Sequence, residues 1–178
     1  TLNVANSFGV GETSGSSGTV NHSAGTINFN GTGTGDSTGF RIGHWPSQTS
    51  VYNLSGTGVL NSANAEMTLG WDGNGSFLQT GGTASVRGIR VTRTTGRTGT
   101  LDLSSGTLNV GSSGIYSGGG TANISLGGAG GILSASANWS SSLPMTLNGT
   151  GASGVSIDTN GNSVGLSGIL GGAGSLTK

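Results

Sequence analysis

The chain has 178 residues, among them 39 Gly, 28 Ser, 23 Thr and 15 Asn, with two Pro and no Cys. Six Lys and Arg balance six Asp and Glu, a neutrality that disfavours nucleic acid or an anionic membrane surface as partner. The absence of Cys excludes a disulfide framework and a thiolate metal site, and no apolar run is long enough to insert in a membrane.

So much Gly and Ser signals disorder unless the sequence is periodic. A period of about 25 residues is present, built from three kinds of short strand in fixed order, A, B and C. The first coil holds A at 1–4, B at 8–11 and C from Val20. The second holds A at 26–29, B at 40–43 and C from Tyr52; the third, A at 58–61, B at 67–70 and C from Phe77. In the fourth, A is 83–86, B is 89–92 and C starts at Leu101. The fifth has A at 107–110, a weaker B at 114–117 and C from Ile124, and a sixth A strand is anchored at Gly130.

The intervals carry the assignment. From the start of C to the next A anchor is six residues in all five copies, whereas the A-to-B connection varies from 8 to 16. A disordered linker would not fix one interval while another drifts. Alternation within each strand places every second side chain on one face. The predicted inward columns are Val10/Ile42/Leu69/Val91/Tyr116 and Val20/Tyr52/Phe77/Leu101/Ile124, followed two residues on by His22, Leu54, Gln79, Leu103 and Leu126. Asn3, Asn28 and Asn109 share an outward column suited to an amide ladder. Gly-rich corners before each A strand allow positive φ and close approach of the next coil.

The predicted fold is all-β, a parallel β-helix or solenoid with three short strands per coil. Residues 1–130 form the regular coils. Residues 131–178 continue the solenoid in a different repeat subtype, with strands at 145–147, 155–158, 164–166 and 169–170. Short strands at this spacing also suit a two-sheet sandwich.

Two stretches carry a family resemblance. One runs from Tyr52-Asn53-Leu54-Ser55-Gly56-Thr57-Gly58 through Leu69-Gly70-Trp71 to Gly81-Gly82-Thr83; the other runs from Val155-Ser156-Ile157-Asp158 to Ser175-Leu176-Thr177-Lys178. The first resembles repeats of bacterial autotransporter-like passengers, and the second the lead-in to the autotransporter-associated β-strand repeat. The resemblance implies a right-handed parallel β-helix exported to the outside of a bacterial cell. Neither end of the chain resembles a solenoid cap, so the expectation is a segment of a longer chain or a filament subunit.

Catalysis on polysaccharide needs two facing carboxylates, or carboxylate-bound Ca²⁺. Glu12, Asp36, Glu66, Asp72, Asp102 and Asp158 fall at different places in the coil frame. Asp72-Gly73-Asn74-Gly75-Ser76 lacks the Gly and Glu that complete a Ca²⁺ loop, and Gly33-Thr34-Gly35-Asp36 misses the Ca²⁺-binding nonapeptide. No catalytic, metal or cofactor site is expected. His22 reads as a hydrogen-bonded interior side chain.

Two features suit surface contact. Arg87, Arg90, Arg93 and Arg97 are four of the six cations within 11 residues; they form a basic strip for acidic glycan or a neighbouring subunit, or a solvated face against wrong edge pairing. Trp45 and Trp71 follow B strands of neighbouring coils and suit a stacked pair, for sugar contact if exposed and for structure if packed.

The expected function is that of a non-enzymatic extracellular structural protein: a bacterial surface stalk, passenger or filament subunit stacked end to end on copies of itself or on flanking repeats. The alternatives are an adhesin binding glycan through the Arg strip and Trp pair and, third, a polysaccharide lyase or hydrolase.

Overall fold

The computed structural model describes residues 1–32 and 39–178; the Gly33-Thr34-Gly35-Asp36 sequence weighed as a Ca²⁺ nonapeptide lies outside the described residues. Strand accounts for 58% of the chain, and the parallel strands stack as a β-solenoid of about seven turns with about 25 residues per turn. Turn one contributes Leu2–Val4, Phe8–Val10 and Thr19–His22; turn two, Thr26–Phe29, Phe40–Ile42 and Thr49–Leu54. In the next turns the ladder runs on around the corners, so the strands merge into Val59–Leu69, Asn74–Arg90, Thr98–Tyr116 and Thr121–Gly127. Ile132–Ala135, Trp139–Ser141 and Met145–Asn148 make turn six, and Val155–Asp158, Val164–Leu166 and Leu170–Gly171 make turn seven, before a last A strand at Leu176–Thr177. Every pairing is parallel, which a hairpin-built sandwich would not allow. The ladder crosses residue 130 without a break, since Thr121–Gly127 pairs with both Thr98–Tyr116 and Met145–Asn148.

The C column stands in the predicted register, Val20 beside Tyr52, Tyr52 beside Phe77, Phe77 beside Leu101 and Leu101 beside Ile124. Three predicted positions move by one or two residues. Thr26 and Thr83 both pair with Val59, so Val59 and not Gly58 anchors the third A strand. Thr107 pairs with Ile132, so the sixth anchor is Ile132 and not Gly130. Arg90 pairs with Tyr116, which therefore faces outward and leaves Ile115 beneath Ile89. The six-residue C-to-A interval thus holds at three corners and stretches at the other two.

The corner glycines explain why the interval is tight where it holds. Gly82 (φ 66°) and Gly106 (φ 81°) stack at the same corner of successive turns. A Cβ on Gly106 would run into the carbonyl of Gly82, and one on Gly82 into that of Gly58. Only Gly supplies both the left-handed backbone and the close approach.

Inside the rod, side chains of adjacent turns lie on top of one another. The first three turns are filled with aromatics: Phe8 meets Phe40 edge-to-face at 5.0 Å, Phe40 meets Tyr52 of its own turn edge-to-face at 5.7 Å, and Tyr52 stacks on Phe77 at 5.7 Å between centroids. Turns four and five continue with Leu101, Leu103, Leu108, Val110 and Ile115, all fully buried. His22 is buried at the first turn, where its Nε2 lies 3.1 Å from the Gly25 carbonyl and its Nδ1 2.8 Å from the Tyr52 hydroxyl. A carbonyl only accepts, so Nε2 carries the proton and Tyr52 donates to Nδ1. That is the interior histidine expected from the alternation of strand C.

Candidate contact surface on the B side

The outward positions of the B strands form the column Gly9/Arg41/Thr68/Arg90/Tyr116. Gly9 has no side chain, and Glu12 folds back into the space that a Cβ there would occupy. From that position Glu12 meets Arg41 of the next turn with both oxygens, Nε to Oε1 and Nη2 to Oε2 at 3.2 Å each. The same Oε2 lies 3.0 Å from His44 Nδ1, and the Glu12 carbonyl accepts a 2.6 Å bond from Trp45 Nε1. Arg41 also donates to Ser7 Oγ at 2.8 Å.

His44 sits between the two tryptophans, 5.2 Å from the Trp45 ring and edge-on to Trp71 at 6.0 Å. Trp71 is buried, with the Arg93 guanidinium 4.3 Å over its ring and Arg41 at 5.8 Å. Arg93 reaches Asp72 Oδ1 at 3.4 Å, and Thr94 donates to the same oxygen at 2.7 Å. Trp45 is 42% exposed. The predicted stacked pair is therefore divided by an imidazole: Trp71 is a packing element, and Trp45 presents its ring to solvent.

A second cluster lies on the next turns. Glu66 precedes the third B strand and is buried. Arg87 approaches its Oε1 at 3.6 Å, Arg90 its Oε2 at 3.7 Å, and the Tyr116 hydroxyl donates to Oε2 at 2.8 Å. Arg90 also donates from Nε to the phenolic Oη of Tyr116 at 3.0 Å and lies 5.3 Å over the Tyr116 ring. Burial and the Glu66 bond push the Tyr116 phenol above its ordinary value. Arg87 further donates to the Thr32 carbonyl at 3.3 Å, holding the start of the second-turn insertion at the A–B corner.

The four predicted arginines do not share one open strip. Arg87 and Arg90 converge on Glu66, Arg93 belongs to Asp72 and Trp71, and Arg97 is half-buried with its Nε unpartnered. Reading the acids one at a time missed two clusters of contacts, Glu12 with Arg41 and His44, and Glu66 with Tyr116. The available signal was the coil frame itself, which puts Glu66 beside the Arg87–Arg90 segment one turn on. Here three acids are paired with arginine: Glu12 on the first turn with Arg41, and on the third turn, at opposite ends of one B strand, Glu66 with Arg87 and Arg90 and Asp72 with Arg93. Asp102, outward on the C side between Leu78 and Ser125, has its carboxyl pushed up by burial. Among the described residues no three His, Asp or Glu side chains converge as metal ligands, and no helix is long and apolar enough to cross a membrane.

No family model matches the chain, and neither the curated proteins nor the solved structures contain a match to it.

Proposed function

We propose that the chain is a non-enzymatic structural rod of the extracellular space, a bacterial surface stalk, passenger or filament subunit whose turns stack on copies of itself or on flanking repeats. The observation that carries this reading is the parallel backbone ladder that runs through all the turns on the A and C faces, while on the B face Trp139–Ser141 and Val164–Leu166 form a sheet of their own. Each turn is a template for the next. Charge is spent on holding the B-side connections together, which suits a scaffold.

Electron microscopy of the native material, with surface proteolysis of intact cells, tests the reading. Rods or fibres that are shaved from the cell exterior are expected. Compact single particles released only on lysis would overturn it. A second reading, a glycan- or surface-binding adhesin, is favoured by Trp45, an exposed indole fixed by its bond to the Glu12 carbonyl. Loss of glycan-array binding in Trp45→Ala, with rods unchanged, would select it.

A further inference from the structure

The A face differs from every other surface of the rod in its outward side chains. In turns one to five its two outward columns are Thr1/Thr26/Val59/Thr83/Thr107 and Asn3/Asn28/Asn61/Ser85/Asn109, in register throughout. Four of five positions in the first column are Thr, and Val59 keeps the shape and methyl groups of Thr. The second column is a chain of amides: Asn28 donates to Asn3 at 2.9 Å, Asn61 to Asn28 at 2.8 Å, and Asn109 to Ser85 at 3.1 Å. Each link fixes a side chain that would otherwise rotate, and leaves amide hydrogens and lone pairs facing solvent.

Backbone geometry sets the spacing of this array. Turns repeat at about 4.8 Å along the rod, and residues two apart on a strand are about 6.7 Å apart across it. These lengths are close to the two oxygen repeats on a prism plane of hexagonal ice. The face is complementary to that lattice in charge as well: neither column carries an ionic side chain in these five turns. Arg87, at the neighbouring corner, turns to Glu66 and holds Thr32 there.

We propose that the A face of turns one to five is an ice-adsorbing surface. Threonine hydroxyls and methyls seat water in register with the lattice, and the amide column keeps the array flat and preorganised, so that little side-chain entropy is lost on contact. The C face is the internal control. It has the same backbone spacing and one amide link, Asn53 to Asn21 at 2.8 Å, but in the same five turns Leu78 and Asp102 interrupt that column and the other reads Thr19/Val51/Ser76/Thr100/Asn123. The proposal is independent of whether the rod is a stalk or a filament.

The test is ice-recrystallisation inhibition and thermal hysteresis with the whole chain. Thr83→Tyr and Thr26→Tyr place a bulky ring at two different rows of the A face, and Thr100→Tyr places one on the C face; circular dichroism checks the fold of each. The unaltered chain is expected to arrest recrystallisation. Either A-face variant should need about tenfold more protein for the same effect, the loss expected when one central contact is broken, while Thr100→Tyr should match the unaltered chain. A folded, unaltered chain without effect on ice would overturn the proposal, and so would equal loss in Thr100→Tyr. Equal adsorption to crystalline cellulose would also overturn it, since lattice match would then not be the cause. Sedimentation velocity provides the remaining outcome: a dimer that Thr83→Tyr dissociates, with no ice activity, would make the face a contact between copies of this chain.

Discussion

The A and B sides of this rod are made of the same parallel ladder and are held in opposite ways. On the A side, like side chains sit above like, and neutral amides bond along the column from Asn3 to Asn61. On the B side no two successive outward residues are alike, and cohesion comes from Glu12 with Arg41, Glu66 with Arg87 and Arg90, and Asp72 with Arg93. The difference follows the connections. Glu66 and Arg87 stand at the A-to-B connection, the one that varies in length, and Glu12, Asp72 and Arg93 just after their B strands, where long, charged side chains reach between turns whose outward residues do not repeat. A regular face needs only repetition. Burying a carboxylate such as Glu66 is costly unless it is paired, so on the B side Glu66 has arginine partners, while the A face of turns one to five carries no ionic side chain.

The largest expected effect lies under the B side. Phe40 is fully buried and touches Phe8, Phe29 and Tyr52. Phe40→Ala should cost about 3–5 kcal/mol in urea unfolding, as expected for a large aromatic removed from a packed core. Next comes the ionic cluster. Glu66→Gln leaves Arg87 and Arg90 facing each other without a carboxylate; because both arginines are partly solvated, about 2–3 kcal/mol is expected, less than for a fully buried pair. An unchanged midpoint in Glu66→Gln would mean that the B side is held by packing alone.

Tyr52 joins the core to pH. Burial raises its phenol well above the ordinary value, and burial with the Glu66 bond raises Tyr116. An unfolded phenol loses its proton near pH 10, while these two still hold theirs in the folded chain. The unfolded state then binds fewer protons, so stability falls as pH rises through that value and on toward the folded one. Tyr52→Phe should lose about 1–2 kcal/mol at neutral pH, because Nδ1 of His22 is left without its donor. It should also show a shallower fall in melting temperature between pH 9 and 11, as flagged by roughly one fewer phenol titrating there. An equally steep fall would place the alkaline limb in Tyr116. On the A side, Asn28→Ala removes both of its amide links at an exposed site, and about 0.5–1 kcal/mol is expected. A loss as large as that of Glu66→Gln would erase the contrast between the two sides.

How far the sequence disclosed this arrangement depended on whether a position accepts only one kind of residue. The C column was legible because Tyr52, Phe77 and Leu101 are large and apolar, and a slip would turn them to solvent. The A anchors slipped at Gly58 and Gly130 because Gly, Thr and Val are all acceptable at an outward corner, so a fixed count of six outweighed the pattern. Tyr116 was misplaced since a phenol suits either face, and only its bonds to Glu66 and Arg90 decide. The ionic contacts were hidden by distance along the chain: Tyr116 and Glu66 are 50 residues apart, and only the stacking of turns brings them together. The amide ladder was seen at Asn3, Asn28 and Asn109, but the slip at Gly58 concealed Asn61, which carries its second link.

The smallest effect is expected on the C side, where a single carboxylate stands in an otherwise uncharged column. Leu78 and Ser125 flank Asp102 on the adjacent turns, and burial raises its carboxyl above the ordinary value. The folded chain therefore takes up this proton at a higher pH than the unfolded chain does. Above the folded value the ionised carboxylate opposes folding. As pH falls through that value the folded state binds more protons than the unfolded one, and the opposition fades until both are protonated. Asp102→Asn removes the charge and keeps the shape, so it should unfold at a slightly higher urea concentration than the unaltered chain at pH 7. The two midpoints should converge as pH drops below the ordinary aspartate range, near about 3.9. A variant less stable at pH 7 would mean that Asp102 is held by a favourable contact, and the C side would then join the B side in relying on charge.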